Sequence, residues 1–127
     1  MCLMNNVNLM IWGRLFNLPV VFDCYGNESV LPEQKKAIDM FCNAEKAIEA
    51  AETAVEAYCL KLNSKEINES SISNIFKYVM PYSLYVRRST SDRYVGLMCR
   101  YRFNPEDGLV VLFKNETAFE IGTTDIL

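Results

Sequence analysis

Tyr94-Val-Gly-Leu-Met-Cys-Arg-Tyr-Arg-Phe103, Asn104-Pro-Glu-Asp-Gly108, Leu109-Val-Val-Leu-Phe-Lys114 and Phe119-Glu-Ile-Gly122 decide the fold class of this chain. In the first run Val95, Leu97, Cys99, Tyr101 and Phe103 alternate with Tyr94, Met98, Arg100 and Arg102. That period of two predicts a strand with one buried and one mixed face. Pro105 presets φ and Gly108 tolerates φ > 0, so Asn104–Gly108 reverses the chain. Leu109–Phe113 is apolar on both faces and reads as a central strand. Lys114–Thr117 turns again, Ala118–Ile121 returns as a short strand, and Gly122 ends it. Just upstream, Ser83–Arg88 alternates Leu84 and Val86 against Tyr85 and Arg87, a further strand before the polar loop Ser89–Arg93.

The middle of the chain has a helical period. Pro32 and Glu33 after Leu31 suit a helix start. Phe41, Ala44, Ile48, Ala51, Val55, Tyr58 and Leu62 recur at spacings of three and four, the spacing of a buried helix face. Asn43 offers a break between two helices. Ala47, Ala50, Ala54 and Ala57 form a small-residue flank that another element can approach closely. Glu45, Glu49, Glu52 and Glu56 form an acidic flank. Ile72, Ile75, Phe76 and Val79 predict a further short helix over Ser71–Met80, ended by Pro81. At the N-terminus Leu9 and Ile11 alternate with Met10 and Trp12, and a second strand starts at Pro19, with the connection near Phe16–Leu18.

The order β-β, α-α-α, β-β-β-β predicts one α+β domain over residues 1–127. Its sheet is mostly antiparallel, with about four C-terminal strands and a helical layer on one face. The N-terminal hairpin either joins that sheet or forms a small one of its own.

Composition bounds the chemistry. The chain has 127 residues, no histidine, five cysteines and a formal net charge of −3. Without histidine there is no Ser-His-Asp or Cys-His catalysis and no His-containing zinc site. The cysteines, Cys2, Cys24, Cys42, Cys59 and Cys99, lack metal-pair spacing and read as free thiols packed as small hydrophobes. No metal, cofactor or catalytic residue is expected, and the chain reads as a non-enzyme. The first residues lack the basic start of a signal peptide, and no apolar run is long enough to span a bilayer. A reducing cytoplasm and no membrane association are the expectation.

Charge is segregated along the chain. Asp23–Glu69 carries ten acidic and five basic residues, whereas Lys77–Arg102 carries six basic residues and one acidic. Glu45, Glu49, Glu52 and Glu56 are the candidate partner-binding residues, suited to a basic protein surface through charge complementarity. Arg87, Arg88, Arg93, Arg100 and Arg102, interleaved with tyrosines such as Tyr94, are the alternative: a nucleic-acid or nucleotide site built from stacking and phosphate contacts. The bland counterparts are a solvated helix face and internal ion pairing.

The turn and strand pattern of Tyr94–Leu127, with Leu18-Pro-Val-Val-Phe-Asp23 and the charged segment from Pro32, resembles a family of small bacterial domains of unknown function. The resemblance spans about Val7–Leu127 and carries no catalytic residue. It implies a cytoplasmic bacterial protein of the immunity type, which binds and occludes a partner such as a basic toxin or defence effector.

Overall fold

The computed structural model describes residues 2–127, with side chains from Asn6 onward. Six strands form one sheet in sequence order: β1 Cys2–Ile11, β2 Arg14–Phe22, β3 Val79–Val86, β4 Tyr94–Tyr101, β5 Leu109–Lys114 and β6 Thr117–Gly122. Two helices, α1 Pro32–Cys42 and α2 Glu45–Ile67, lie between β2 and β3. Every neighbouring pair is antiparallel except β2–β3. A parallel pair needs a crossover, and the helices provide it. This is the expected α+β fold, with the N-terminal hairpin joined to the main sheet.

The core lies between the helices and one sheet face. Ile38, Phe41, Ile48, Ala51, Val55 and Cys59 meet Val20, Phe22, Leu84, Val86, Val95, Leu97 and Val111, all buried. The rings of Phe41 and Phe113 meet edge-on at 4.9 Å. The other sheet face is partly covered by the C-terminus. Leu127 packs over Gly96 and Ile126 over Gly122, so closely that a Cβ at either glycine would fall within 3 Å of them. Arg87 Nη2 donates to the Ile126 carbonyl at 3.1 Å and holds that segment down.

The structure corrects several sequence expectations. Ser71–Met80 is not a helix. Only one 3-10 turn forms, Ile75–Lys77, and Val79 already begins β3. Phe76 has helical spacing for another reason: its ring receives Trp12 at 6.1 Å and Phe16 at 5.6 Å from the hairpin. Pro81 does not end an element. It sits at the register shift between Pro81 and Ser83, beyond the part of β3 paired with β2, where a missing N–H costs the ladder little. The first hairpin turns at Trp12-Gly13 rather than near Phe16–Leu18, because Trp12 (φ 50°) and Gly13 (φ 84°) supply the two positive φ angles of a tight hairpin. Leu62 is 55 % exposed, whereas Cys59, four residues after Val55 on the same face, is buried; the backbone leaves helical geometry just beyond Leu62, at Asn63 (φ −132°).

The Asn104–Gly108 reversal forms as expected, closed by the Gly108 N–H on the Asn104 carbonyl at 2.9 Å. Gly108 has φ 64°, and a Cβ there would stand 2.7 Å from the Cys99 carbonyl oxygen, a backbone atom that cannot swing away. Gly108→Ala should therefore cost about 2 to 4 kcal/mol of stability. Urea unfolding measures this, and an unchanged midpoint would contradict the account.

Candidate functional site

Two surfaces carry uncommitted charge, one on each side of the molecule. The first is the acidic flank of α2. Glu45 is exposed, and Glu49, Glu52 and Glu56 are half-buried along the same flank. Glu49 Oε1 accepts the Gly13 N–H at 3.3 Å, so this carboxylate also anchors the hairpin tip. Beside it Trp12 Nε1 donates to the Ile48 carbonyl at 3.0 Å. Among the described residues none of the four glutamates forms an ion pair. Partial burial raises the Glu52 carboxyl above its ordinary range, and a hydrogen bond with Glu56 and the charges of Glu56 and Glu49 raise it further. The expected small-residue flank also forms. Ala54 and Ala57 face Ala118, Phe119 and Ile121 of β6 across a shallow groove of about 340 Å³.

The second surface contains part of the arginine set. Arg93 forms a two-pronged pair with Glu116 at 2.7 and 2.9 Å. Its backbone also brackets Asn115, donating to Oδ1 and accepting the Asn115 N–H. It thereby holds a tight turn whose two central residues, Asn115 and Glu116, both have positive φ. Arg88 bonds the Ser29 carbonyl and pairs with Glu28. The Arg87 guanidinium lies 4.2 Å from the centre of the Tyr94 ring. These three arginines and Tyr94 are engaged in holding loops and the C-terminus. The pairing partners lie in loops and turns, not on α2.

Arg100 and Arg102 differ. Both are exposed, and among the described residues neither forms an ion pair. They line a concavity of about 540 Å³, with Lys77, Tyr78, Met80, Tyr82 and the turn residues Glu106, Asp107 and Gly108. The Arg100 guanidinium lies 5.5 Å from the centre of the Tyr82 ring. Lys77 and Tyr82 were not among the sequence candidates. Lys77 belongs to the basic segment that begins there, but only the fold brings it and Tyr82 beside Arg100.

Burial raises the thiol pKa values of Cys42, Cys59 and Cys99, keeping them protonated. The Tyr101 hydroxyl is pushed above its ordinary value by burial and by Cys59, and donates to Asn63 Oδ1 at 2.6 Å across the irregular turn of α2. No cluster of three potential metal-ligating His, Cys, Asp or Glu exists among the described residues. No helix is long and apolar enough to cross a membrane.

A family model matches residues 4–127. The chain belongs to the DUF6985 family. That family is described as a domain of unknown function. No curated protein and no solved structure matches this DUF6985 domain.

The Glu52 environment has a consequence for pH dependence. A carboxyl raised in the folded state contributes stability below its unfolded pKa, and the contribution is lost as pH rises through the folded value. At neutral pH Glu52 is thus a small net cost. Glu52→Gln should raise the stability of this DUF6985 domain at pH 7 by about 0.2 to 0.5 kcal/mol, the scale of a relieved like-charge helix pair. The gain should shrink as pH falls through the raised folded value toward 4.5 and be gone below it. Denaturant titration of both proteins across pH checks it, and a loss of stability at pH 7 would contradict it.

Proposed function

We propose that this DUF6985 domain is a non-enzymatic protein-binding factor, of the immunity or antagonist type in the bacterial cytoplasm, which occludes a basic partner. The observation that carries the reading is the acidic flank of α2: four glutamates with no counter-ion of their own among the described residues. Like charges at helical spacing cost stability. A cationic partner surface would remove that cost on binding and would be steered toward it in solution. The flank stands on a rigid support, since α2 is packed on the sheet through Ile48, Ala51, Val55 and Cys59. A preformed surface of this kind blocks a partner's cleft without paying for loop ordering. The absence of histidine and the raised pKa values of the three thiols support binding over catalysis. A toxin or defence effector with a positive active cleft is the partner this chemistry fits.

The alternative reading, a nucleic-acid or nucleotide binder on the arginine and tyrosine face, is weaker as an extended nucleic-acid interface. Three of its five arginines are engaged elsewhere, and the cations left do not form a track along the sheet.

Capture from native lysate followed by mass spectrometry identifies the partner, and titration calorimetry measures the complex. A one-to-one complex with a basic protein is expected. Reversing Glu45, Glu52 and Glu56 to lysine should weaken it by about a hundredfold, with Glu49 retained because it anchors the hairpin tip. An affinity unchanged by the reversal in a folded variant would remove the α2 flank from the reading.

A further inference from the structure

We propose that the concavity at the start of β3 and the end of β4 is a binding site for a mononucleotide, with the phosphate on Arg100, Arg102 and Lys77 and the base against Tyr82. This narrows the nucleotide alternative to one site and uses residues other than those of the protein-binding reading.

Four observations carry it. The concavity, about 540 Å³, is within the range of small-molecule sites. Its lining includes three cations that form no ion pair among the described residues. Two of them are arginines, whose planar donor fork suits phosphate oxygens. Tyr82 is 41 % exposed; the Arg100 guanidinium lies over one face of its ring, so a base would stack on the other face or take the guanidinium's place as Arg100 turns to the phosphate. Glu106 and Asp107 line the same concavity from the turn. Those carboxylates accept hydrogen bonds from ribose hydroxyls or a base amino group, and they repel a second phosphate. The mixed signs therefore select a ligand with one anionic end and one hydrogen-bond-donating end, and disfavour an extended polyanion.

The walls are held firmly enough to present the site. The Tyr78 hydroxyl donates to Glu69 Oε2 at 2.6 Å, its ring stacks on Phe103 at 5.7 Å, and the Arg102 N–H bonds the Tyr78 carbonyl at 2.8 Å. Gly108 closes the turn that carries the two carboxylates.

The test is titration of the intact protein with adenosine 5′-monophosphate, read by calorimetry and by amide NMR shifts. Adenosine, inorganic phosphate and a short oligothymidylate serve as comparators. Saturable one-to-one binding is expected, at least about tenfold tighter than for adenosine or phosphate alone, with shifts at Lys77, Met80, Arg100 and Gly108. Arg100→Ala and Tyr82→Ala should each weaken binding about tenfold at unchanged thermal midpoint, both side chains being exposed. The proposal is overturned if the adenine, guanine, cytosine and uracil monophosphates all fail to saturate at millimolar concentration. It is also overturned if the oligonucleotide binds more tightly than the monophosphates, or if folded Arg100→Ala binds as the parent does.

Discussion

The sheet depends on a short parallel contact between β2 and β3, and that contact depends on one buried side chain. Only Val20, Val21 and Phe22 pair with Leu84, Tyr85 and Val86. Those are the only backbone strand pairs between the N-terminal hairpin and the four C-terminal strands among the described residues. Gln34, 1 % exposed in the first turn of α1, closes the junction. Its Oε1 accepts the Leu31 N–H at 2.9 Å, which caps the helix. Its Nε2 reaches the Asp23 carbonyl just past the end of β2, and more distantly the Val86 carbonyl at the end of β3. The Asp23 N–H meets that same Val86 carbonyl at 3.0 Å. A buried amide with unmet valences costs about 1 to 3 kcal/mol per group. Its satisfaction here fixes where α1 begins and how the crossover is aimed, and so where α2 presents its glutamates.

Tight turns with unfavourable backbone angles set the remaining geometry, and side chains hold them. Trp12 has positive φ, uncommon for a bulky residue. It is held by burial, by the Nε1 bond to Ile48 and by Glu49 on the neighbouring Gly13 N–H. Glu116 has positive φ as well and is held by Arg93. The same economy explains the arginines. Arg87, Arg88 and Arg93 stabilise the C-terminus, the Ser29 loop and the last hairpin, which leaves Arg100 and Arg102 as the arginines of that segment without a structural task.

Sequence periodicity was most legible where one element determines its own burial. Tyr94–Phe113 alternates because β4 is buried on its helix-facing side and β5 on both, and the turn between them is written in Pro105 and Gly108. It misled at Ser71–Met80, where Ile72, Ile75 and Val79 are buried and Phe76 half-buried without a shared helix: only Ile75–Lys77 forms a 3-10 turn, and Val79 belongs to β3. It also missed Cys59, which a small-hydrophobe reading places correctly but a stripe through Leu62 does not. The acidic flank could be read from spacing because one helix carries all four residues. The concavity could not. Its walls come from Phe76–Tyr82, from Cys99–Arg102 and from the Pro105–Gly108 turn, and only the register of β3 with β4 sets Met80 opposite Arg100.

That register also explains why the segregated charges do not cancel. Arg100 points away from the face that Cys99 shares with the helices, so the sheet and the core lie between it and the glutamates of α2. Packed layers stand about 10 Å apart, well beyond the roughly 4 Å reach of an ion pair. Neither surface can neutralise the other across that distance. The ion pairs that do form, Arg88–Glu28, Arg93–Glu116 and Lys114–Asp92, are contacts within loops and turns or between a strand end and a loop. A fold that needed its charges for stability would bring the basic strands and the acidic helix together at one edge. This one holds them on opposite sides of the core, where each remains available to something outside the chain.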